Sequence, residues 1–221
     1  MYSLNNSKCP KSFKASAYWM GFIAADGCVS PKELSISLAL KDLGHLELFK
    51  EYIESDRPIH IRKPIVKDKY RPRDMCRIAI GNQQVCDNLV NNGLPCRKTH
   101  KLKLPDINKA LMHHFIRGYF DGDGNIYMSK DKKGVQWQII STERFCTDVQ
   151  NILMEQLNLS KTKLQNPNPD RNNNIRRMRW DGITSVMKLY YYMYKDATIF
   201  LNRKKDYYDN IVRIKKNRHN R

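Results

Sequence analysis

The sequence lacks several features that would each place it in a definite class of protein. It contains no apolar run close to the ~20 residues that a membrane span requires, and no secretory or transit signal opens it. Its 6 cysteines form no Cys-x-x-Cys pair, so we expect free thiols in a reducing compartment and no zinc site. These absences indicate a soluble, intracellular protein without a membrane partner.

Acidic residues are scarce relative to basic ones. The 221 residues include 22 Asp and Glu against 40 Lys and Arg, which gives a net charge of +18. A folded chain this basic repels itself unless a polyanion offsets the charge. Because 41% apolar residues indicate a globular chain rather than a disordered one, nucleic acid is the partner that the composition favours most.

One ten-residue pattern occurs twice. Residues 19–28 read Trp-Met-Gly-Phe-Ile-Ala-Ala-Asp-Gly-Cys, and residues 116–125 read Ile-Arg-Gly-Tyr-Phe-Asp-Gly-Asp-Gly-Asn. The copies share a glycine, an aromatic residue after it and a closing Asp-Gly, and they start 97 positions apart, at 19 and 116. This spacing indicates a duplicated fold unit. Two units related by a pseudo-twofold axis would bring Asp26 and Asp123 side by side.

Hydrophobic periodicity predicts the same order in each half: helix, two strands, helix, two strands, helix. We expect helices at 16–26, 43–53, 85–90, 111–122, 142–157 and 184–194, and strands at 28–29, 34–40, 59–61, 75–80, 126–128, 135–140, 161–165 and 175–180. Ser16 would cap the first helix and a left-handed Gly27 would close it. The chain would divide into domains 1–96 and 107–221, with a linker at 97–106 and a basic tail from Leu201.

Small residues recur at helical spacing within both copies of the pattern. Gly21 and Ala25, like Gly118 and Gly122, stand four positions apart and therefore share one helical face. Glycine in a helix costs about 1 kcal/mol relative to alanine. Two glycines at matched positions therefore predict that the two helices pack closely against each other.

The two patterns resemble the signature of the LAGLIDADG homing endonucleases in their single-chain, two-repeat form. The resemblance extends over nearly the whole chain. It implies an α+β fold of two pseudo-symmetric αββαββα repeats, each with a curved antiparallel DNA-binding sheet, joined at a packed two-helix interface. It also implies a monomeric endonuclease, freestanding or intron-encoded, that cuts both strands of a long specific DNA target and leaves short 3′ overhangs. Such a protein would act in a bacterial or phage-infected cell, or in an organelle.

By the same resemblance, Asp26 and Asp123 end the paired helices, and each serves one DNA strand. Two carboxylates at helix C-termini repel each other and the helix dipole, so they require a cation. Hard oxygen ligands suit Mg²⁺, with Mn²⁺ able to substitute, and the site would consist of these acids together with Ala25 and Gly122. A metal ion held in this way can activate water for in-line attack on phosphorus.

Lys98 and Lys204 follow the two halves at equivalent places. The resemblance implies a catalytic basic residue there, beside the metal, which polarises water or the scissile phosphate. A solvated charge in a basic run is the alternative for both lysines. Arg97 competes with Lys98 for the role, and Lys205 competes with Lys204.

Strand alternation predicts which side chains face DNA. With the apolar residues of each strand inward, the outward residues are Ser35, Ser37, Lys41, Gln136, Gln138, Arg177 and Arg179. Glutamine and arginine read adenine and guanine edges in the major groove. Phosphate contacts, which position the protein rather than specify a sequence, are expected from Lys32, Lys63, Arg71, Arg73, Arg77, Lys130, Lys132, Lys161 and Lys163.

Two other functions fit the same fold. An RNA-binding maturase that assists intron splicing is favoured by the basic run 213–221, for which a disordered tail is the simpler interpretation. A catalytically inactive DNA-binding regulator is disfavoured, because a pure binder gains nothing from two acids that face phosphate. Asp121, whose counterpart is Ala24, is interpreted as a structural or capping residue. His113-His114 is interpreted as a packing or surface pair rather than a metal site.

Overall fold

Helices and antiparallel strands alternate in both halves of the chain. The computed structural model describes residues 10–63, 74–171 and 173–219, and the side chains of residues 16–215 within those ranges. The first half contains α1 (Pro10–Asp26), β1 (Gly27–Val29), β2 (Leu34–Ala39), α2 (Leu43–Tyr52), β3 (His60–Arg62), β4 (Met75–Ile80) and α3 (Gln83–Asn91). The second half contains α4 (Met112–Asp123), β5 (Asn125–Met128), β6 (Val135–Thr142), α5 (Glu143–Leu157), β7 (Ile175–Asp181), α6 (Ile183–Tyr194) and α7 (Asn202–His219). The predicted α+β class is confirmed.

Each half forms one antiparallel sheet. Within the described residues the strand order is β1-β2-β4-β3 in the first sheet and β5-β6-β7 in the second. The strand predicted at 161–165 is wrong, because only Gln165 forms a bridge there, to Arg177 of β7. Pro167 and Pro169 follow at once, and a residue without an N–H cannot extend a strand ladder.

The helices α1 and α4 cross with their backbones in direct contact. A Cβ atom on Gly21 would lie 2.0 Å from the carbonyl oxygen of Phe115, and one on Gly118 would lie 1.9 Å from that of Tyr18. Non-bonded atoms cannot approach so closely, so only glycine permits this crossing. The predicted two-helix interface is therefore confirmed at both glycines.

Aromatic side chains fill the core on either side of this crossing. In the first half, Trp19 packs edge-on against Phe22 and Phe49. In the second half, Phe120 stacks on Trp137 with ring centroids 5.4 Å apart. All of these rings are fully buried, and burial of a large apolar side chain contributes about 1.5–3 kcal/mol. Both cores therefore hold the two helix ends in place. None of the helices in the described ranges is long and apolar enough to cross a membrane.

The two ends of α1 differ from the sequence-based prediction. The described helix begins at Pro10, so Ser16 lies inside it, and its hydroxyl forms a hydrogen bond with the Tyr52 hydroxyl over 2.5 Å instead of capping the helix. Gly27 is the first residue of β1 and is not left-handed. Glycine is required there because a Cβ atom would lie 2.7 Å from the carbonyl oxygen of Ile23.

The basic C-terminal segment is a helix through His219 rather than a tail. α7 buries Tyr208, Ile211 and Val212, and the Tyr208 hydroxyl donates a hydrogen bond of 2.6 Å to the carbonyl of Val186. The prediction of a tail failed because the dense basic residues around these three positions obscure their apolar stripe. The segment belongs to the core of the second half.

Candidate functional site

The two acidic residues of the repeated motif end the crossing helices. Asp26 is the last residue of α1, and Asp123 is the last residue of α4. A Cβ atom on Gly122 would lie 2.4 Å from the Cβ of Ala25 and 3.2 Å from a carboxylate oxygen of Asp26. The motif ends therefore adjoin, as the duplication suggested, and the small residues at 25 and 122 permit this approach.

Both carboxyl groups are harder to ionise than free ones. Partial burial, reinforced by the negative charge of Asp123, raises the pKa of Asp26 to about 6. The surrounding protein also raises the pKa of Asp123, while the positive charges of Lys98 and Lys204 oppose that rise. Two carboxylates held together against their repulsion favour the binding of a cation.

The donor atoms at the helix ends fit a hard divalent cation. The two carboxylates supply charged oxygens, and the C-terminal turns of α1 and α4 supply main-chain carbonyl oxygens at Ala25 and Gly122. Mg²⁺ prefers such oxygen ligands and retains several waters. The Ala25 carbonyl also accepts a hydrogen bond from Lys98, and the Gly122 carbonyl accepts one from Lys204, so two ammonium groups lie beside these oxygens.

Lys98 and Lys204 both reach the motif ends. The Lys98 ammonium donates to the carbonyl of Ala25 over 2.8 Å, and the Lys204 ammonium donates to the carbonyls of Phe120, Gly122 and Gly124 over 2.7–2.8 Å. Burial lowers the pKa of Lys98, and it lowers the pKa of Lys204 to about 8. The structure therefore brings these two predicted residues to Asp26 and Asp123.

The two competing basic residues lie elsewhere. Arg97 is exposed and left-handed, with φ at 52°. The Lys205 ammonium pairs with the Asp209 carboxylate at 2.7 Å and lies over the rings of Tyr190 and Tyr194. The Lys205 ammonium is therefore engaged by Asp209 of its own helix and by tyrosine rings of α6.

Asp121 is a buried structural acid. Its side chain is fully buried and accepts hydrogen bonds from the hydroxyls of Tyr18 and Tyr194 and from the backbone N–H of Leu201, each over 2.8 Å. Its counterpart Ala24 lies in the apolar core of the first half. Asp121 thus joins α1, α6 and the start of α7, in agreement with its interpretation as a structural residue.

The outward face of the second sheet carries the predicted polar row. Trp137, Ile139, Met178 and Trp180 are buried, as the alternation of β6 and β7 predicts. Gln138 stands opposite Arg179, and Gln136 stands opposite Asp181. The Asp181 carboxylate accepts a hydrogen bond from Gln136 and forms an ion pair with Arg179. Arg177 is half-buried and also lies in β7.

The outward face of the first sheet carries smaller side chains. Ser37 is exposed, but Ser35, expected to be exposed, is only 7% exposed because it stands between β1 and β4. Lys41 is exposed in a turn that follows β2. Arg77 is exposed and pairs with the Glu33 carboxylate at 2.8 Å.

Outward residues on two short strands, β3 and β5, were not predicted from the sequence. By register, His60 pairs with Arg77 in the first sheet. Asn125 pairs with Gln138, and Tyr127 pairs with Gln136, in the second. Strands of three or four residues are too short to show an alternation, and only their position just after each Asp-Gly, or before a long loop, could have indicated them.

The predicted phosphate-contacting lysines lie in loops and at strand ends. Exposed side chains within the described ranges are Lys32, Lys63, Lys130, Lys132, Lys161 and Lys163. Arg71 and Arg73 lie outside the described residues. The exposed cations thus flank both sheet faces, where a polyanion that covers the sheets would meet them.

A second polar cluster lies at the start of α4. Ligand atoms of His113, His114 and Asp196 lie within 4.8 Å of one another. The Arg117 guanidinium, however, forms a 2.8 Å hydrogen bond with Nδ1 of His114 and also donates to the carbonyl of Met193. Since a guanidinium can only donate, it requires an unprotonated Nδ1, which leaves the proton on Nε2 and blocks that atom as a metal ligand. This geometry supports the packing interpretation of the histidine pair.

Comparisons with known proteins agree with this architecture. Residues 110–190 match a family model described as a LAGLIDADG-like domain. No curated protein sequence matches the chain. Among solved structures, the I-SmaMI LAGLIDADG homing endonuclease bound to cleaved DNA is 14% identical with a TM-score of 0.59, and the match covers 92% of this chain and 90% of that one.

Two further solved structures match over a similar length. The LAGLIDADG meganuclease I-AabMI bound to uncleaved DNA is 14% identical with a TM-score of 0.56, and 91% of each chain is covered. The LAGLIDADG homing endonuclease I-GzeII in complex with its DNA target is 9% identical with a TM-score of 0.61, covering 92% of this chain and 91% of that one. The second repeat thus matches a LAGLIDADG-like domain, and nearly the whole chain has the fold of single-chain LAGLIDADG endonucleases.

Proposed function

We propose that this chain is a homing endonuclease that hydrolyses one phosphodiester bond in each strand of a long, specific DNA target. It would act as a monomer, encoded freestanding or within an intron, and leave short 3′ overhangs. The observation that carries the proposal is the adjoining pair Asp26 and Asp123, which end two crossing helices between two basic, outward-facing sheets.

Several findings support this activity. The matched structures include I-SmaMI bound to cleaved DNA and I-AabMI bound to uncleaved DNA. A net charge of +18 supplies the attraction to a polyanion. A binding module would gain nothing from two adjoining carboxylates that repel phosphate, so the acids favour an enzyme over a regulator.

The residues at the motif ends suit a divalent metal, with Mg²⁺ as the proposed ion and Mn²⁺ as its substitute. Asp26 and Asp123 would hold it, with the carbonyl oxygens of Ala25 and Gly122 as further donors. When bound, such an ion lowers the pKa of water and neutralises charge on the leaving oxygen. Burial, and after it the negative charge of Asp123, raise the pKa of Asp26, and a bound cation would offset both effects.

The chain's own groups would then position the reaction. Each carboxylate would orient a water for in-line attack on one phosphorus, whose bond to the 3′ oxygen breaks as the new oxygen–phosphorus bond forms. Lys98 donates one N–H to the carbonyl of Ala25, and its positive charge would stabilise the negative charge on the scissile phosphate. The two acids would serve the two strands separately, one acid for each.

The sheet faces would recognise the target. Gln136, Gln138, Arg177 and Arg179 on the second sheet are proposed to read base edges. Ser37 and Lys41 are proposed to contact the target from the first half, whereas the burial of Ser35 excludes it from this role. The exposed lysines around both sheets would contact phosphates and set the register of the protein on DNA. Arg71, Arg73 and Arg77 are proposed for the same role.

The repeat boundaries are part of this proposal. Residues 1–96 and 107–221 would be the two halves, with 97–106 as the linker. In this linker, Leu102 is buried and its carbonyl accepts a hydrogen bond from the Thr142 hydroxyl. The segment is thus packed onto the second half, which would fix the halves relative to each other.

The test is cleavage of a randomised duplex library, with the ends of all products mapped. Wild type in Mg²⁺ should give discrete cuts with short 3′ overhangs, and EDTA should abolish them. The Asp26→Asn/Asp123→Asn double variant should lose cleavage by more than about 1,000-fold and still bind the selected duplex. Asp87→Asn, an exposed acid on α3, should cleave as wild type does.

Two results would overturn the proposal. Tight, specific duplex binding without cutting in either Mg²⁺ or Mn²⁺ would show a DNA-binding module. Cleavage by the double variant at the wild-type rate would show that the two acids are not the catalytic groups.

A further inference from the structure

The two lysines at the motif ends use their hydrogen-bond donors differently. An ammonium group has three N–H donors. Lys204 uses all three on the carbonyls of Phe120, Gly122 and Gly124, which are the last turn of α4 and the residue beyond it. The final carbonyls of a helix have no partner within the helix, so Lys204 closes the end of α4.

The backbone around Lys204 is anchored on both sides. Leu201 donates its N–H to the Asp121 carboxylate, and its carbonyl accepts the N–H of Lys204. The Arg203 guanidinium donates to both oxygens of Asp42 in the first half, over 2.7 and 2.9 Å. The first turn of α7 is thus tied to α4 and to the first half, which leaves the Lys204 side chain little freedom to move toward a substrate.

A lysine also caps the C-terminal end of α5, remote from Asp26 and Asp123. The Lys188 ammonium of α6 donates to the carbonyls of Leu157 and Asn158 at the end of α5, over 2.9 and 3.0 Å. Asn158 is left-handed there, with φ at 48°. A lysine that crosses to a neighbouring helix and binds its last carbonyls therefore serves a structural purpose in this protein.

Lys98 differs from both of these lysines. It begins a short turn after the left-handed Arg97, and its ammonium donates to one carbonyl, that of Ala25. Among the described residues, its other two N–H groups have no acceptor. They remain available for a water molecule or a phosphate oxygen at the site.

We propose that Lys204 is a positioning residue, which holds the last turn of α4 and with it Asp123, whereas Lys98 is the lysine that contacts the substrate. The inference rests on the proposed function for its catalytic part only. The two acids would then have unequal support. Lys204 holds the backbone that carries Asp123, whereas Lys98 lies beside Asp26 and can contact a phosphate.

The structural part can be tested without DNA, with three variants: Lys98→Met, Lys188→Met and Lys204→Met. Lys188→Met and Lys204→Met should each lower Tm by several degrees, and Lys98→Met should leave it within about one degree. In a lysine side-chain ¹H–¹⁵N spectrum at neutral pH, the Lys204 ammonium should give a signal protected from exchange. An unchanged Tm in Lys204→Met together with an unprotected ammonium would overturn the inference.

The catalytic part uses the duplex selected by the library, with each strand labelled separately. Lys204→Met should slow cleavage of the strand served by Asp123 by about 10- to 100-fold, since displacement of a catalytic group by about 1 Å has effects of this size. The ratio of the two strand rates should change with it. Lys188→Met should lower Tm and leave both rates unchanged.

A merely structural Lys204 would lower Tm without changing the ratio of the strand rates, and that result would reject its positioning role. If Lys204 contacts substrate directly, its ammonium signal should shift when the duplex is added in EDTA, and that shift would also reject the inference. A failure of the proposed function looks different, because no variant or wild type would then cut, whereas the Tm and ammonium results would stand.

Discussion

The ends of α1 and α4 carry the same motif but are supported differently. At the end of α1, Ala24 is buried among apolar residues, and one lysine bond reaches the carbonyl of Ala25. At the end of α4, Asp121 accepts three hydrogen bonds and Lys204 donates three. Duplication has preserved the crossing and the final acid, while the polar support of the second end has no counterpart in the first.

The comparison distinguishes motif residues that the helix crossing requires from motif residues that depend on the neighbours of each half. The shared glycine and the shared Asp-Gly are dictated by backbone contact and by the proposed chemistry, so they match in both copies. The positions between them depend on the neighbours of each half. Two tyrosine hydroxyls and a backbone N–H surround position 121, and these donors stabilise an acid that is buried there. The counterpart position 24 lies among apolar side chains and carries alanine.

The largest expected effect concerns the symmetric part of the comparison. Gly118→Ala and Gly21→Ala should each destabilise the protein by more than about 3 kcal/mol, because the new Cβ would overlap a backbone carbonyl oxygen that cannot move independently. Chemical denaturation measures this. Gly44→Ala in α2 is the control, since a Cβ there meets nothing within 4 Å, and it should stabilise by up to about 1 kcal/mol. A cost below 1 kcal/mol at either motif glycine would contradict the close crossing.

The next effect separates the two acids of the second motif. Asp121→Asn should cost about 2–3 kcal/mol, because an amide nitrogen then faces at least one of three buried donors. Asp123→Asn should cost nothing, since the charge that it removes adds to the effect of burial in raising the pKa of Asp26. Equal loss of stability in both variants, measured in EDTA, would show that Asp123 is structural as well.

The third prediction concerns pH and the first half. Burial lowers the pKa of His45 to about 4; the nearby Asp42 opposes this shift and Arg203 reinforces it. Between pH 6.5 and 4 the unfolded chain therefore binds a proton that the folded chain does not, and stability falls as the pH falls. Wild type should lose about 2–3 kcal/mol relative to His45→Gln over this range. Identical pH dependence of the two proteins would contradict a neutral, buried His45.

The smallest expected effects distinguish base contacts from phosphate contacts made by the second half on the selected duplex. Arg179→Ala should relax specificity at one base pair, by about 1–3 kcal/mol of discrimination. Lys163→Ala should weaken binding equally for all sequences and reduce the slope of log affinity against log salt by about 1. Competition binding against single-base variants of the target distinguishes these outcomes. A uniform loss of affinity in Arg179→Ala would make that residue a phosphate contact instead.

Much of this architecture could be predicted from the sequence, for a physical reason. The crossing of α1 and α4 requires a glycine at the same position of each motif. The alternation of Trp137 and Ile139, or of Met178 and Trp180, marks the inward faces of strands. These are local periodicities. The same reasoning correctly placed Asp26 and Asp123 at the helix ends, since a duplicated motif implies duplicated positions.

What the sequence could not predict depends on contacts between distant segments. The role of Asp121 needs Tyr18, Tyr194 and Leu201 in one place, and local sequence does not show that they meet. The helical C-terminus was obscured by its basic residues, although Tyr208 and Ile211 have helical spacing. Nor does the spacing of Lys98 and Lys204 reveal that one donates to a single carbonyl and the other to three.

Strand-resolved cleavage of the selected duplex by the two single variants, Asp26→Asn and Asp123→Asn, tests the division of labour between the two acids most sharply. Each variant should nick one strand only, and the two variants should nick opposite strands, because each acid serves its own phosphodiester. If either variant still cuts both strands, or if both variants nick the same strand, then the two acids do not each serve one strand.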